Sequence, residues 1–174
     1  YGGVDVAASE GTITNKHQSV RGGFKTAALN VSATYANAYG ASDKYKLLSG
    51  GVSYDFGVAK PSFSYTQAKY GARKQTLWTA AVTVPLGQGQ ILASFTDAKA
   101  NAAAETTAGS YSAIGDAKLF AVGYVYNLSK RTALYTTAAQ IKNNGAGKLM
   151  VNGSPTPAAG GKSSGVDVGI RHSF

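Results

Sequence analysis

The last ten residues, GVDVGIRHSF at positions 165–174, show the pattern that decides the fold. Three aliphatic residues, a histidine and a phenylalanine fall on one parity, whereas Asp167 and Arg171 fall on the other together with small residues. Successive residues of a β-strand point to opposite faces. The segment therefore predicts a strand with one apolar face, which ends in an aromatic residue, and one face that is small or charged.

The same period-two alternation recurs upstream, and helical periodicity is weak almost everywhere. In residues 75–86, for example, one face carries Trp78 and Val82 while the other carries Thr79 and Thr83. Each such segment is close to the ~9–11 residues with which a tilted strand crosses a bilayer. We count about ten strands, at residues 3–8, 18–25, 29–38, 45–56, 60–70, 75–86, 90–99, 117–127, 132–142 and 165–174.

The connections between these strands alternate in length. Short connections are expected near residues 26–28, 57–59, 87–89 and 128–131, and longer ones near residues 36–44, 70–74, 99–115 and 143–164. The longer ones are rich in Ala, Gly, Asn, Ser, Thr and Pro, which do not build a core. This rhythm is typical of an antiparallel meander in an outer-membrane barrel, with tight periplasmic turns and long outer loops.

Composition narrows the class of protein further. Only 14% of the 174 residues are charged, against about 25% in a soluble domain. The sequence has no cysteine and only two histidines, so it offers no disulfide framework, no thiolate site and no short metal motif. We find no catalytic constellation and expect no metal and no cofactor. The net charge of +9 comes from scattered residues, which argues against a nucleic-acid-binding module.

The aromatic residues favour a membrane barrel over a soluble one. Tyr54, Phe56, Tyr124 and Tyr126 lie at strand ends beside short connections, where an aromatic girdle would meet the membrane interface. The polar parity carries Gly, Ser, Thr and Asn, which suit a wet lumen better than the exterior of a soluble barrel. The predicted fold class is therefore all-β, an antiparallel transmembrane β-barrel.

The C-terminal region resembles a known family. The segment YNLSKRTALYTTAAQI at residues 126–141, followed by a variable loop and GVDVGIRHSF, is similar to the Gram-negative general porins of the β-proteobacterial type. The resemblance implies a passive outer-membrane diffusion channel rather than an enzyme. It also implies a sixteen-stranded, trimeric barrel with an inward-folded third loop, and it makes Phe174 the C-terminal aromatic residue read by the assembly machinery.

The resemblance also sets expectations for domains and partners. Residues 1–174 are expected to form a single β-barrel domain that lacks its N-terminal strands and its constriction loop. The expected partners are outer-membrane lipids and lipopolysaccharide, small anionic solutes and two further copies in a homotrimer, and no nucleic acid.

Four basic residues are the candidates for the pore lining. If the apolar parity faces lipid, Arg21, Lys25 and Arg171 fall on the lumen parity, and Arg131 lies at a periplasmic turn. Positive charge along a water-filled channel would give a modest anion preference. Alternatively, these groups only pair with carboxylates such as Asp5, Asp55 or Asp167, or bind lipopolysaccharide phosphates from outside.

Two other classes of protein stay open on the residues alone. One is a complete small outer-membrane barrel of about ten strands that acts as a membrane anchor, an adhesin or an enzyme, and it would be too narrow for a wide aqueous channel. The other is a soluble ligand-binding β-barrel, in which the apolar parity would point inward.

Overall fold

The computed structural model describes the backbone of residues 2–9, 16–39, 43–105 and 115–174, and the side chains of residues 16–39, 43–104 and 115–174. These residues form ten strands and one short helix. The strands are β1 (Gly2–Ser9), β2 (His17–Lys25), β3 (Leu29–Tyr39), β4 (Lys44–Tyr54), β5 (Lys60–Tyr70), β6 (Arg73–Leu86), β7 (Gly89–Ala100), β8 (Ala117–Asn127), β9 (Thr132–Asn143) and β10 (Lys162–His172), and the helix α1 spans Ala102–Glu105. Within the described residues, no helix has the length and apolarity needed to cross a membrane.

All ten strands belong to one sheet with the order β1 to β10, so every strand pairs with its neighbours in sequence. Each of the nine pairings is antiparallel. The predicted antiparallel meander is confirmed. In the described part of the chain, β1 and β10 each pair with one strand only and form the two edges of the sheet.

The strand bounds predicted from alternation are confirmed to within three residues. The largest difference is at the C-terminus, where the expected strand 165–174 is instead Lys162–His172. Its first residue pairs with Lys142 and its last with Thr132, so the register with β9 sets the bounds rather than the run of apolar residues.

One predicted connection is wrong. The sequence predicts a longer loop at residues 70–74, but β5 and β6 are joined by the two-residue turn Gly71–Ala72. Gly71 has a φ of +56°, a left-handed conformation that glycine adopts without steric cost. A Cβ at this position would also meet the Asp43 carboxylate, with Oδ2 at 2.5 Å.

The four short connections are confirmed, and glycine or side-chain capping closes them. Gly57 and Gly87 have positive φ values of 81° and 58°. The Thr26 Oγ1 accepts a hydrogen bond from the Leu29 N–H at 2.9 Å. The predicted loops at 36–44 and 99–115 partly lie outside the described residues. In their described parts, β3 extends to Tyr39, and α1 follows β7.

The described side chains form no conventional hydrophobic core. The buried hydrophobic residues among the described side chains are all alanines: Ala36, Ala98, Ala104, Ala117 and Ala133. On β3 and β4 the apolar parity is mostly exposed, whereas the Ser/Thr parity is mostly half-buried. Since the inside of a curved sheet is the less accessible side, the Ser/Thr parity forms the concave face and the apolar parity the convex face.

Candidate channel-lining face

Small hydroxylated residues line the concave face. The hydroxyls of Ser49 and Thr66 lie 3.0 Å apart on neighbouring strands, and those of Thr79 and Thr96 lie 2.8 Å apart. These cross-strand hydrogen bonds satisfy the hydroxyls locally. The concave face therefore carries small polar side chains that are hydrogen-bonded to each other, which suits a surface in contact with water.

Two of the four predicted residues, Arg21 and Lys25, lie on β2. Arg21 is opposite Thr34 and Lys25 is opposite Asn30 in the β2–β3 register. Thr34 is in turn opposite Ser49, which places Arg21 on the concave face. Both basic residues are exposed.

The other two predicted residues, Arg131 and Arg171, lie at the far end of the sheet. Arg171 lies on β10, opposite Ala133 of β9, and is exposed. Arg131 lies in the β8–β9 turn, where its carbonyl accepts a hydrogen bond from the Ser173 N–H at 2.9 Å. The end of β10, which carries Arg171, therefore runs beside the β8–β9 turn, which carries Arg131. Arg21 lies on β2, eight strands away from β10.

Among the described side chains, Asp55 and Asp167 form no ion pair within 4.0 Å with Arg21, Arg131 or Arg171. Asp55 accepts a hydrogen bond from the Gly57 N–H at 2.8 Å within the β4–β5 turn. Asp167 shares the concave parity of β10 with Arg171, four residues away. Asp5 is the Cα partner of Arg21, but its side chain lies outside the described ones.

Among the described side chains, the ion pair within 4.0 Å is instead Lys99–Asp116, at 2.8 Å between Nζ and Oδ2. Asp116 lies in the long connection before β8 and also accepts a hydrogen bond from the Ala100 N–H at 2.8 Å. The hydrogen bond from Lys99, supported by the one from Ala100, lowers the pKa of the Asp116 carboxyl below its usual value. This carboxylate fixes the outer end of β7 to the connection that follows it.

Sequence reasoning missed two further cations on the concave face. Lys60 is opposite Thr83, and Arg73 is opposite Tyr70, which places both on the Ser/Thr parity. The described concave positions of β2–β10 thus carry five lysines and arginines, and one carboxylate, that of Asp167. The alternation along β5 and β6 gives the parity of Lys60 and Arg73. The pairing between strands then shows that this parity is the concave one.

The connection between β9 and β10, residues 144–161, folds over the concave face. Asn143 is 1% exposed. Its Nδ2 donates to the carbonyls of Leu149 at 2.8 Å and Gly161 at 2.9 Å, and its Oδ1 accepts from the Leu149 N–H at 2.8 Å. The Val151 N–H donates to the Ser163 Oγ at 3.0 Å. Because Asn143 and Ser163 both have the concave parity, this connection packs against the concave face at the long-loop end. The sequence pattern gave no sign of this contact.

The candidate assembly residue, Phe174, is fully exposed. Its ring lies edge-on to His172, with centroids 5.0 Å apart. Two further aromatic pairs lie at this short-turn end, Tyr54–Phe56 at 4.6 Å and Tyr124–Tyr126 at 6.4 Å. Within the described residues, no three His, Cys, Asp or Glu side chains gather as metal ligands.

Comparison with known proteins agrees with this geometry. The model of the Gram-negative porin family matches residues 1–146. Outer membrane porin protein 32 of Delftia acidovorans is 35% identical over 136 residues, which cover 71% of this chain and 35% of that protein. An outer membrane porin protein of Bordetella pertussis is 33% identical over 146 residues, with the same two shares. The chain thus spans about a third of the length of these curated relatives.

Two solved structures share the fold. The anion-selective porin from Comamonas acidovorans superposes with a TM-score of 0.81 at 27% identity, over 99% of this chain and 55% of that one. The NanC porin superposes with a TM-score of 0.60 at 10% identity, over 100% of this chain and 93% of that one, and this likeness concerns the fold alone.

The predicted transmembrane β-barrel fold and outer-membrane location are therefore confirmed. The convex face is apolar and exposed, as a lipid-facing surface requires, which excludes the soluble ligand-binding barrel. The relatives are channel proteins rather than enzymes. On the match to residues 1–146 and on these relatives, the chain belongs to the Gram-negative porin family.

Proposed function

We propose that this chain forms part of the wall of an outer-membrane diffusion channel for small hydrophilic solutes, with a modest preference for anions. The observation that carries the proposal is the charge of the concave face, where five cations accompany the single described carboxylate of Asp167. The anion-selective porin from Comamonas acidovorans, which shares this fold, supports the sign of the preference.

The mechanism is electrostatic and needs no conformational cycle. Fixed positive charge on the wall of a water-filled channel raises the local concentration of anions and lowers their barrier to entry. Arg21 and Arg171 are exposed, so dissolved salt screens them over a Debye length of about 10 Å at 0.1 M. The preference should therefore be modest, and it should weaken as the salt concentration rises.

We further propose that the ten strands belong to a sixteen-stranded barrel in a homotrimer, whose early strands and constriction loop lie outside this sequence. Backbone groups in lipid must be paired, and β1 and β10 each have one neighbour among the described strands. Ten strands closed on each other would give a narrow barrel, which suits the exposed concave cations poorly. A complete small barrel is the alternative, and the intact mass of the native protein distinguishes the two.

Phe174 is proposed to be the aromatic residue that the assembly machinery reads. Its complete exposure at the end of the chain keeps it accessible to a partner. Replacement of Phe174 with alanine should lower the amount of assembled protein in the outer membrane without changing the conductance of the channels that do assemble.

The test of the channel is a reversal-potential measurement in planar bilayers with the full-length native protein under a KCl gradient. The sign should indicate chloride preference, and Arg21→Gln/Arg171→Gln should move the reversal potential towards zero. The matched control, Lys46→Gln/Lys69→Gln, removes the same charge from the convex face and should leave the potential unchanged. A cation preference in the unmodified protein, or equal shifts in both variants, would contradict the proposal.

A further inference from the structure

Two tyrosines and an arginine lie side by side on the concave face at the long-loop end of the sheet. Tyr45 of β4 is the Cα partner of Tyr70 of β5, and Tyr70 is the Cα partner of Arg73 of β6. Side chains directly opposite each other on neighbouring strands have Cβ atoms about 4.5–5.5 Å apart. The two phenol rings and the guanidinium group therefore form one continuous patch, which we call the tyrosine–arginine row.

The surface next to this row changes character towards the middle of the sheet. Two residues further along β4 and β5, Leu47 is the Cα partner of Ala68. Two residues beyond these, the hydroxyls of Ser49 and Thr66 lie 3.0 Å apart. From the strand end inward, the concave face of these strands is therefore aromatic and cationic, then small and apolar, then hydroxylated.

The row is accessible to a small solute. The connection between Tyr70 and Arg73 is the two-residue turn Gly71–Ala72, so it places no long loop above these two side chains. Tyr45 is 40% exposed, and Tyr70 and Arg73 are half-buried. A molecule on the concave side of the sheet can therefore contact both the rings and the guanidinium group.

The polar groups of the row have no partner among the described residues. Neither the Arg73 guanidinium nor the hydroxyls of Tyr45 and Tyr70 make a hydrogen bond or ion pair there. The Asp43 carboxylate lies close to Gly71, yet it forms no ion pair within 4.0 Å with Arg73. The donors of this guanidinium are therefore free to bind a carboxylate in a bidentate arrangement.

The two chemical parts of the row suit two parts of one small molecule. A guanidinium group matches the planar, paired oxygens of a carboxylate. Aromatic rings associate in offset-stacked or edge-to-face arrangements with centroids about 4.5–7 Å apart, which is close to the spacing between neighbouring strands. A carboxylate attached directly to an aromatic ring can thus contact Arg73 and Tyr70 at the same time, whereas an aliphatic carboxylate uses the arginine alone.

We propose that Tyr45, Tyr70 and Arg73 form a weak binding site for single-ring aromatic carboxylates in the channel. The carboxylate pairs with Arg73, the ring lies against the two tyrosines, and Leu47 and Ala68 supply apolar surface beside it. The row contains a single cation, which suits a solute with one carboxylate. The inference rests on the proposed function, because it takes the concave face as the channel wall, and it names a solute class that this wall favours.

The experiment measures binding of benzoate to the full-length native protein in detergent, by titration with saturation-transfer difference NMR, which does not depend on conduction. Arg73→Gln should weaken binding about tenfold, because it removes one charge-assisted pair. Tyr45→Leu/Tyr70→Leu should weaken binding about fivefold, because it removes the ring contacts and keeps apolar side chains on both strands.

Matched controls come from the opposite face of the same strands. Lys74→Gln removes the same charge one residue along β6, and Tyr54→Leu/Tyr65→Leu removes two tyrosines from β4 and β5. Tyr54 is the Cα partner of Leu29, and Tyr65 that of Trp78, so both lie on the convex face. These control variants should bind benzoate as the unmodified protein does.

Two related solutes separate the contributions of charge and ring. Cyclohexanecarboxylate keeps the charge without an aromatic ring, and benzyl alcohol keeps the ring without the charge. Both should bind at least about threefold more weakly than benzoate. The proposal is overturned if either binds as tightly as benzoate, or if the variants of the tyrosine–arginine row bind benzoate as tightly as their controls.

Planar-bilayer recordings distinguish failure of the site from failure of the channel. Benzoate should reduce the chloride current of the unmodified protein by a larger fraction than that of Arg73→Gln. Benzoate binding without any ion conduction would refute the proposed channel alone. Chloride-preferring conduction without benzoate binding would refute the proposed site alone.

Discussion

The assignment of the two faces can be tested at one pair of neighbouring, identical residues. Ala80 and Ala81 lie in the middle of β6, with Ala80 on the convex face and Ala81 on the concave face. Ala80 is opposite Phe63 and Phe95, whereas Ala81 is opposite serines on both neighbouring strands. Replacing each alanine with arginine places the same charge at the same depth on opposite sides of the wall.

The expected costs differ by a measurable amount. An arginine on the lipid face costs about 2–4 kcal/mol at the bilayer midplane, and Ala80 is six residues from both Lys74 and Leu86 at the ends of β6. On the wet concave face the same side chain reaches water, so we expect at most about 1 kcal/mol for Ala81→Arg. A difference of about 2–3 kcal/mol changes the ratio of folded to unfolded protein by roughly 30- to 150-fold.

The assay is reversible urea unfolding of the full-length protein in lipid vesicles. Trp78 is the single tryptophan of these 174 residues and lies on the convex face, with its ring centroid 5.3 Å from that of Phe95 and 6.4 Å from that of Phe63. With any tryptophan elsewhere in the protein replaced by phenylalanine, the fluorescence of Trp78 follows entry of this face into lipid. Equal costs for the two variants, or a larger cost for Ala81→Arg, would refute the assignment of the apolar face to lipid.

Three smaller predictions concern the connections at the long-loop end. Asn143→Ala removes three hydrogen bonds and should cost about 2–4 kcal/mol; hydrogen exchange should speed up in residues 144–161, and unchanged exchange there would contradict the anchoring role. Gly71→Val forces a left-handed φ on a β-branched residue and should cost about 1–2 kcal/mol, measured from the urea midpoint. Because the folded state lowers the pKa of Asp116, its stabilising contribution is present above the ordinary carboxyl pKa and is lost as the pH falls through the folded pKa. Asp116→Asn should therefore have a lower urea midpoint than the unmodified protein near pH 7, and the gap should close in acid; a gap independent of pH would contradict this.

Alternation was sufficient to predict the strands because each strand has one apolar and one polar face. It failed where backbone pairing extends beyond the apolar pattern, as at Lys162, Ser163 and Ser164, which join β10 through their partners on β9. It also failed at Gly71, since the sequence shows a glycine but not whether its φ is positive.

The candidate site was predictable in part for the same reason. The parity of Arg21 and Arg171 follows from their neighbours in sequence, and both lie on the concave face; their role in the pore stays a prediction. The role of Asn143 could not be predicted, because its partners Leu149 and Gly161 come from a connection without periodicity.

Side chains on both faces of the sheet determine the register of the last strand, β10. Because side chains alternate, a slip of one residue between β9 and β10 would turn Val166, Val168 and Ile170 into the concave face and turn Asp167 and Arg171 toward lipid. An arginine forced toward lipid costs up to about 2–4 kcal/mol near the midplane and less near the ends, and the apolar side chains would lose their lipid contacts as well. The pattern of residues 165–174 thus fixes both the lipid face and the charge of the concave face through one register.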